Sequence, residues 1–232
     1  CYKKLNMSKK NSSVNLKNNF QDFKDLSNIF VNFKNKLDLL NKKSYVVAVS
    51  GGPDSLALVA LTQFYKLYKK TKFEYLLVDH NIRKNSHKEA KKVKNLLKKK
   101  KINLKILENK KKITKNIQAE ARIARYDIIS NYCKQNRIQT ILTAHNLEDQ
   151  VETFFIRLSR GSGLKGLSSM KELSKIATKV NLFRPLLDVK KLFLIQISKK
   201  IFGNFIKDPS NKNEKFLRTK IRNLKKPLES SG

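Results

Sequence analysis

Six consecutive residues, Ser50-Gly51-Gly52-Pro53-Asp54-Ser55, separate the apolar run Tyr45 to Val49 from a helix-like segment that begins Leu56-Ala57-Leu58. Their types suit anion binding. Paired glycines let a backbone turn sharply and approach a ligand, successive N–H groups converge on an anion, and a helix N-terminus adds a favourable dipole. The hydroxyls of Ser50 and Ser55 can donate to phosphate oxygens. Neither GxxxxGK followed by Ser or Thr nor GxGxxG is present, so the lysine that reaches the terminal phosphates in the Walker loop is missing. Asp54 would repel phosphates unless a divalent cation stood between them, which points to Mg²⁺ with Asp54 as its ligand. In the competing reading Asp54 and Ser55 simply cap the helix, as short polar residues at this position do.

Other candidates follow along the chain. His145 and Asp149 are four apart and share a face if a helix starts there, presenting an imidazole and a carboxylate to one ligand. Glu148 between them reads as a supporting or solvated acid. Glu152, one turn on, is placed to orient Arg157 or Arg125. Arg122 and Arg125, three apart on a helical segment, can grip a phosphate directly or hold it through Glu120, or else form ordinary surface salt bridges. Arg160 opens the flexible stretch Arg160-Gly161-Ser162-Gly163, a candidate moving loop or RNA contact; a plain helix end capped by Gly161 is the alternative. Arg218 and Arg222, four apart, suit a nucleotide, pyrophosphate or an RNA backbone.

The elements that must hold these residues alternate. Strands are predicted at Tyr45 to Val49, Phe73 to Asp79, Ile102 to Glu108 and Ile138 to Ala144. Helices are predicted at about 55–68, 86–100, 117–135 and 147–158. A last apolar stretch, Leu182 to Leu187, contains Pro185, which limits it to an edge strand or an extended loop; residues 192–202 then read as helix. The pattern implies an α/β fold, a doubly wound parallel sheet of about five strands. Ahead of it, Phe20, Phe23, Leu26, Phe30, Phe33, Leu37 and Leu40 recur at helical spacing and predict an N-terminal covering helix over 20–43. Residues 1–19 read as a disordered basic arm, 44–224 as the catalytic domain and 225–232 as a tail.

Composition bounds the partners. The 232 residues carry 52 Lys and Arg against 18 Asp and Glu, a net charge of +34, which needs a polyanion. Of the cations 43 are Lys and 9 Arg, beside 23 Asn, so a coding bias accounts for much of the charge and the arginines are the informative cations. All but Arg137 lie near candidate motifs. The stretch Lys84 to Lys115 holds 14 Lys and only Glu89 and Glu108 as acids; it is either a solvated helix face or a phosphate-tracking surface. No run approaches the roughly 20 apolar residues of a membrane span. Two cysteines, Cys1 and Cys133, argue for a reducing compartment and against a thiolate-held metal or cluster.

SGGxDS after a first strand resembles the phosphate loop of the ATP-pyrophosphatase (PP-loop) superfamily, and further motifs narrow the likeness. Val78-Asp79-His80-Asn81-Ile82-Arg83, Asn116 to Tyr126 (NIQAEARIARY) and Thr143 to Thr153 (TAHNLEDQVET) resemble the tRNA(Ile)-lysidine synthetase family. So do Arg157 to Leu167, Arg184-Pro185-Leu186-Leu187, Asp208-Pro209-Ser210-Asn211 and Phe216 to Asn223. The resemblance implies that ATP adenylates C2 of the wobble cytidine in a tRNA(Ile) with a CAU anticodon. The ε-amine of free lysine then displaces AMP, pyrophosphate having already left. It implies Asp54, His145 and Asp149 as catalytic residues and His145 and Asp149 as the lysine site. Ser50, Gly51, Gly52, Pro53, Asp54, Ser55, Asp79, His80, Arg122 and Arg125 are implied to bind ATP. Arg160, Arg218 and Arg222 are implied as tRNA or phosphate contacts, with Mg²⁺ on Asp54.

Lys220 departs from the family by standing where a second closing arginine is expected, and the C-terminal domains that select tRNA in many members are expected to be absent or truncated. A bacterial cytoplasm is the implied location, a plastid stroma the alternative. The oligomeric state stays open, with a homodimer as one option. Two rivals remain: another adenylating member of the superfamily, of amidotransferase type, and a non-catalytic RNA-binding protein. A tRNA thiolase would need more cysteines.

Overall fold

In the sequence Tyr45-Val46-Val47 every side chain is apolar, as a strand buried on both faces requires. In the computed structural model this run forms the centre of the sheet. The structure describes residues 24–82, 85–111, 113–163, 167–168, 170–206, 219–221 and 223. In chain order the elements are α1 (Lys24–Leu40), β1 (Ser44–Ala48), α2 (Pro53–Tyr65), β2 (Lys72–Asp79), α3 (Ser86–Lys99), β3 (Leu104–Glu108), α4 (Ile117–Gln135), β4 (Thr140–Leu142), α5 (Leu147–Leu158), β5 (Leu173–Ala177), β6 (Val180–Phe183) and α6 (Lys191–Phe202).

The strand order is β3-β2-β1-β4-β6-β5. The first five run parallel, with Tyr45 opposite Phe73 and Val47 opposite both Tyr75 and Leu142. β5 closes the far edge antiparallel to β6. Side-chain alternation divides the core. Tyr45, Val47, Val49, Tyr75 and Leu77 face α1, α2, α3 and α6, while Val46, Leu76, Ile141 and Leu182 face the Ile129 and Cys133 side of α4. The sheet is therefore wound on both faces, and its order reverses between β1 and β4.

The expected parallel strands and helices are present, but the end of the sheet is not as expected. β6 covers Val180–Phe183 and lies inside the sheet, between β4 and β5, rather than on its edge; Pro185 falls in the following turn, where a missing N–H costs no ladder bond. The sixth strand, Leu173–Ala177, has no counterpart among the expected elements.

On α1, Leu26, Phe30, Phe33 and Leu37 are buried, as the covering helix requires. Lys36 also ties α1 to the turn after β6, donating to the Pro185 carbonyl and the Asp188 carboxylate and pairing with Glu172 at 2.8 Å. On α3, Ala90, Val93 and Leu97 are buried while Lys88, Lys91, Lys92, Lys94, Lys98 and Lys99 are exposed, as either a solvated face or a phosphate-tracking surface requires. The arm 1–19 and tail 225–232 lie outside the described residues.

Candidate nucleotide site at the sheet switch point

Parallel strands place the segments that follow β1, β2, β4 and β6 on one edge of the sheet, and the order reversal between β1 and β4 opens a crevice there. The phosphate-loop residues follow β1. Gly51 has φ +85°, and its carbonyl accepts the Ile206 N–H at 2.9 Å. A Cβ on Gly51 would stand 2.4 Å from a methyl of Val93 on α3, whereas one on Gly52 would meet only the Ser50 hydroxyl at 3.7 Å. The two glycines thus do different work. Gly51 permits the turn and close packing; Gly52 leaves open space before the helix.

Ser55 is engaged by its own loop. Its Oγ accepts the Ser50 and Gly51 N–H groups at 3.2 and 3.1 Å and donates to the Gly52 carbonyl at 3.0 Å, and the residue is buried. It organises the loop from within. Pro53 occupies the first helical turn, where its fixed φ suits the helix and no N–H is lost to the ladder. The first-turn N–H groups of Asp54 and Ser55 have no intrahelical acceptor and remain suited to an anion.

Asp54 is the electrostatic focus. Its pKa is raised to about 6, chiefly by burial; the Lys191 ammonium opposes this, and the carboxylates of Asp149 and Glu148 add to it. The Lys191 Nζ stands 3.7 Å from Asp54 Oδ2. Asp54 Oδ1 and Asn146 Nδ2, an acceptor and a donor, are both buried and meet no partner at full hydrogen-bond geometry, although the Asn146 side chain acts on Asp54 and lowers its pKa.

The segment after β4 is built by its own capping. Asn146 caps α5: its Oδ1 accepts the Asp149 N–H at 3.0 Å, and Asp149 Oδ2 accepts the Asn146 N–H at 3.1 Å. Helix α5 therefore starts at Leu147. His145 lies before it, so His145 and Asp149 are gathered by a capping turn and not by a shared helical face. The His145 Nδ1 is 2.9 Å from the Thr143 hydroxyl, which orients the ring. Glu148 is a tether: its Oε2 accepts the Lys191 N–H at 2.8 Å, and beside it the Leu147 N–H reaches the Val189 carbonyl at 3.0 Å. The starts of α5 and α6 are thereby joined.

The remaining candidates form a second group around β2 and α4. Asp79 is buried, accepts the Asn81 N–H at 3.0 Å and lies 3.4 Å from His87 Nδ1. Arg125 points at His80, with its Nη2 3.3 Å from Nε2. Burial first, and the Arg125 charge second, lower the His80 pKa to about 4, so the ring is neutral at physiological pH. Arg122 lies over the Tyr126 ring at 5.0 Å. Arg157 donates to the Ser168 carbonyl. Arg160 is exposed just past α5, where Gly161 at φ +67° ends the helix in the left-handed conformation. Arg83, Arg218, Arg222 and the motif at 208–211 lie outside the described residues.

Reading the sequence missed Asn146, whose spacing to Asp149 is a legible capping signal, and Lys191, which carries no local motif. Mg²⁺ is tested by the residues present. Among the described residues no group of three His, Cys, Asp or Glu side chains converges as a metal cage. Mg²⁺ needs only one or two carboxylates when substrate phosphates and water complete its shell, and the buried Asp54 carboxylate, whose Oδ1 makes no hydrogen bond of full geometry, fits that role.

Comparison with known proteins agrees with this geometry. A tRNA(Ile)-lysidine synthase of Orientia tsutsugamushi (strain Boryong) is 38% identical over 206 residues, covering 87% of this chain and 46% of the relative. One of Wolbachia pipientis wMel is 38% identical over 209 residues, covering 89% and 48%. The chain thus spans about half the length of these curated relatives. Among solved structures, a U34-tRNA thiolase from Methanococcus maripaludis, with a 4Fe–4S cluster, superposes with a TM-score of 0.72 at 17% identity, covering 89% of this chain and 74% of the other; this likeness concerns the fold. The model of the PP-loop domain matches residues 21–228, which include every described residue, and the chain belongs to that family of ATP-using domains.

Proposed function

We propose that the chain carries the catalytic core of a tRNA(Ile)-lysidine synthetase, which adenylates C2 of the wobble cytidine in a tRNA(Ile) with a CAU anticodon and joins lysine to it. The observation that carries this reading is the convergence of the starts of α2, α5 and α6 on the buried Asp54 carboxylate, where Lys191, Asp149, Glu148 and Asn146 all act on it. It is supported by the relatives named tRNA(Ile)-lysidine synthase.

In this reading the first-turn N–H groups of α2 hold the ATP phosphates while Ser55 keeps the loop in shape. The cytidine O2 attacks the α-phosphorus, and the bond to the bridging oxygen breaks with its electron pair leaving on pyrophosphate. Mg²⁺, when bound at Asp54, supplies charge neutralisation for those phosphates. The lysine ε-amine then attacks C2, AMP departs with the oxygen, and the amine loses a proton. His145, oriented by Thr143, and Asp149, oriented by its cap, hold the lysine amine against the reaction centre. Neutral His80 with Arg125, and Arg122, face the nucleotide from the neighbouring strand and helix. Arg160, Arg218 and Arg222 contact the tRNA or a phosphate of the nucleotide. The reaction belongs where tRNA and ATP meet, in a bacterial cytoplasm.

The test supplies ATP, Mg²⁺, lysine and unmodified tRNA(Ile), then reads nuclease digests by mass spectrometry. A lysine-mass adduct on the wobble cytidine, with AMP and pyrophosphate released, is the expected product. Asp54→Asn abolishes adenylation, whereas Asp149→Asn leaves adenylation and chiefly impairs lysine transfer. Consumption of ATP with this tRNA but no attached lysine would replace the reading with another adenylating member of the superfamily.

A further inference from the structure

Lys191 belongs to no phosphate-loop motif, lies 137 residues beyond Asp54 in sequence, and still brings its ammonium to within 3.7 Å of the Asp54 carboxylate. Its backbone end is fixed, because Glu148 Oε2 holds its N–H at 2.8 Å and the neighbouring Leu147–Val189 bond closes the same junction. Its tip is loosely held. A charge-assisted N–H···O contact measures about 2.7 to 2.9 Å, shorter than the distance found here, and the Lys191 side chain keeps 36% of its surface exposed. A flexible four-carbon stem, anchored at its base and loosely paired at its end, can pass its charge to a stronger anion beside it. Such an anion is expected, since the first turn of α2 presents N–H groups to phosphates but the loop contains no lysine of its own.

We propose that Lys191 supplies the cation that the phosphate loop lacks, moving from Asp54 to the β- and γ-phosphate oxygens of ATP. The inference rests on the ATP-adenylating reading of the same site. The ammonium makes hydrogen bonds only. When the bond between the α-phosphorus and the bridging oxygen breaks, the electron pair departs on pyrophosphate, and Lys191 faces the charge that develops there. Glu148 fixes the point from which the stem reaches, and so acts as a positioning residue for Lys191.

Isothermal titration with pyrophosphate, ATP and AMP, each in the presence of Mg²⁺, separates this role from a structural one. Lys191→Gln should weaken pyrophosphate and ATP binding by about tenfold or more and leave AMP binding unchanged, as loss of one charged contact to the departing phosphates requires. Lys191→Arg should recover most of that loss, and the melting temperature of both variants should stay near that of the unsubstituted protein. Equal weakening for AMP and pyrophosphate, or unchanged binding of all three ligands, overturns the proposal. If the unsubstituted chain bound neither ATP nor pyrophosphate, the ATP-adenylating reading would fall and this inference with it; binding by the unsubstituted chain that Lys191→Gln leaves intact overturns the inference alone.

Discussion

Gly51 and Gly52 are adjacent and identical, yet their neighbourhoods demand opposite outcomes on substitution. Gly51→Ala places a Cβ at a positive φ and against Val93, so α3 must shift; a cost of about 2 kcal/mol or more is expected, read as a drop in melting temperature. Gly52→Ala meets nothing in the protein closer than 3.7 Å, so it should melt normally and lose ATP affinity, because the new methyl fills the space beside the helix start. A Gly52→Ala protein that binds ATP normally would show that the phosphates sit elsewhere. His80 gives a residue-scale effect with a definite sign. Its folded pKa of about 4 lies below the usual 6.5, so the unfolded chain binds more protons between those values. Stability from His80 is complete above pH 6.5 and is lost as pH falls toward 4. His80→Gln should therefore flatten the acid-side decline in stability, by roughly 1 kcal/mol after allowance for solvent screening of a half-buried group, as read from denaturant unfolding at a series of pH values. At this scale the loop was legible from the types and order of its residues. What Ser55 does was not, because whether a hydroxyl faces a ligand or its own loop depends on a turn geometry that letters do not encode.

The same division appears among the elements. Helices α4 and α5 span the residues expected of them, α5 from its Asn146 cap and α4 without a side-chain cap hydrogen bond at Asn116, and β1 to β4 follow their apolar runs. β5 and β6 were obscured for a physical reason. Leu173-Ser174-Lys175-Ile176-Ala177 is half exposed and carries a lysine, so its strand character comes from pairing with β6 and not from its own pattern. Pro185 misdirected the reading of β6 by standing two residues past its end. Lys191 was invisible because no sequence pattern joins α6 to α2. The tether between α5 and α6 can be tested directly: Glu148→Ala removes the acceptor of the Lys191 N–H, so hydrogen exchange at that amide should quicken while exchange in β1 and β2 stays slow. Unchanged protection at Lys191 would mean that Glu148 does not hold the junction.

For the whole molecule, a charge of +34 is too general a feature to identify a substrate. The exposed lysines of α3 attract any RNA backbone, and their attraction weakens as salt rises. Converting Lys88, Lys91, Lys92 and Lys98 to Gln should lower affinity for tRNA(Ile) and for an unrelated RNA by similar factors, with a shallower dependence of log affinity on log salt for both. A loss confined to tRNA(Ile) would instead make this helix a reader of that tRNA. The bond from Ile206 to Gly51 has a consequence for the order in which the protein is made. β1 acquires its second neighbour only when β4 has been synthesised, and the phosphate loop is latched only when residue 206 emerges. At about 5 to 20 residues per second, on the order of ten seconds separate the synthesis of the loop from that of its latch. A ribosome-bound chain therefore carries the phosphate-loop sequence well before the bond that latches the loop can form.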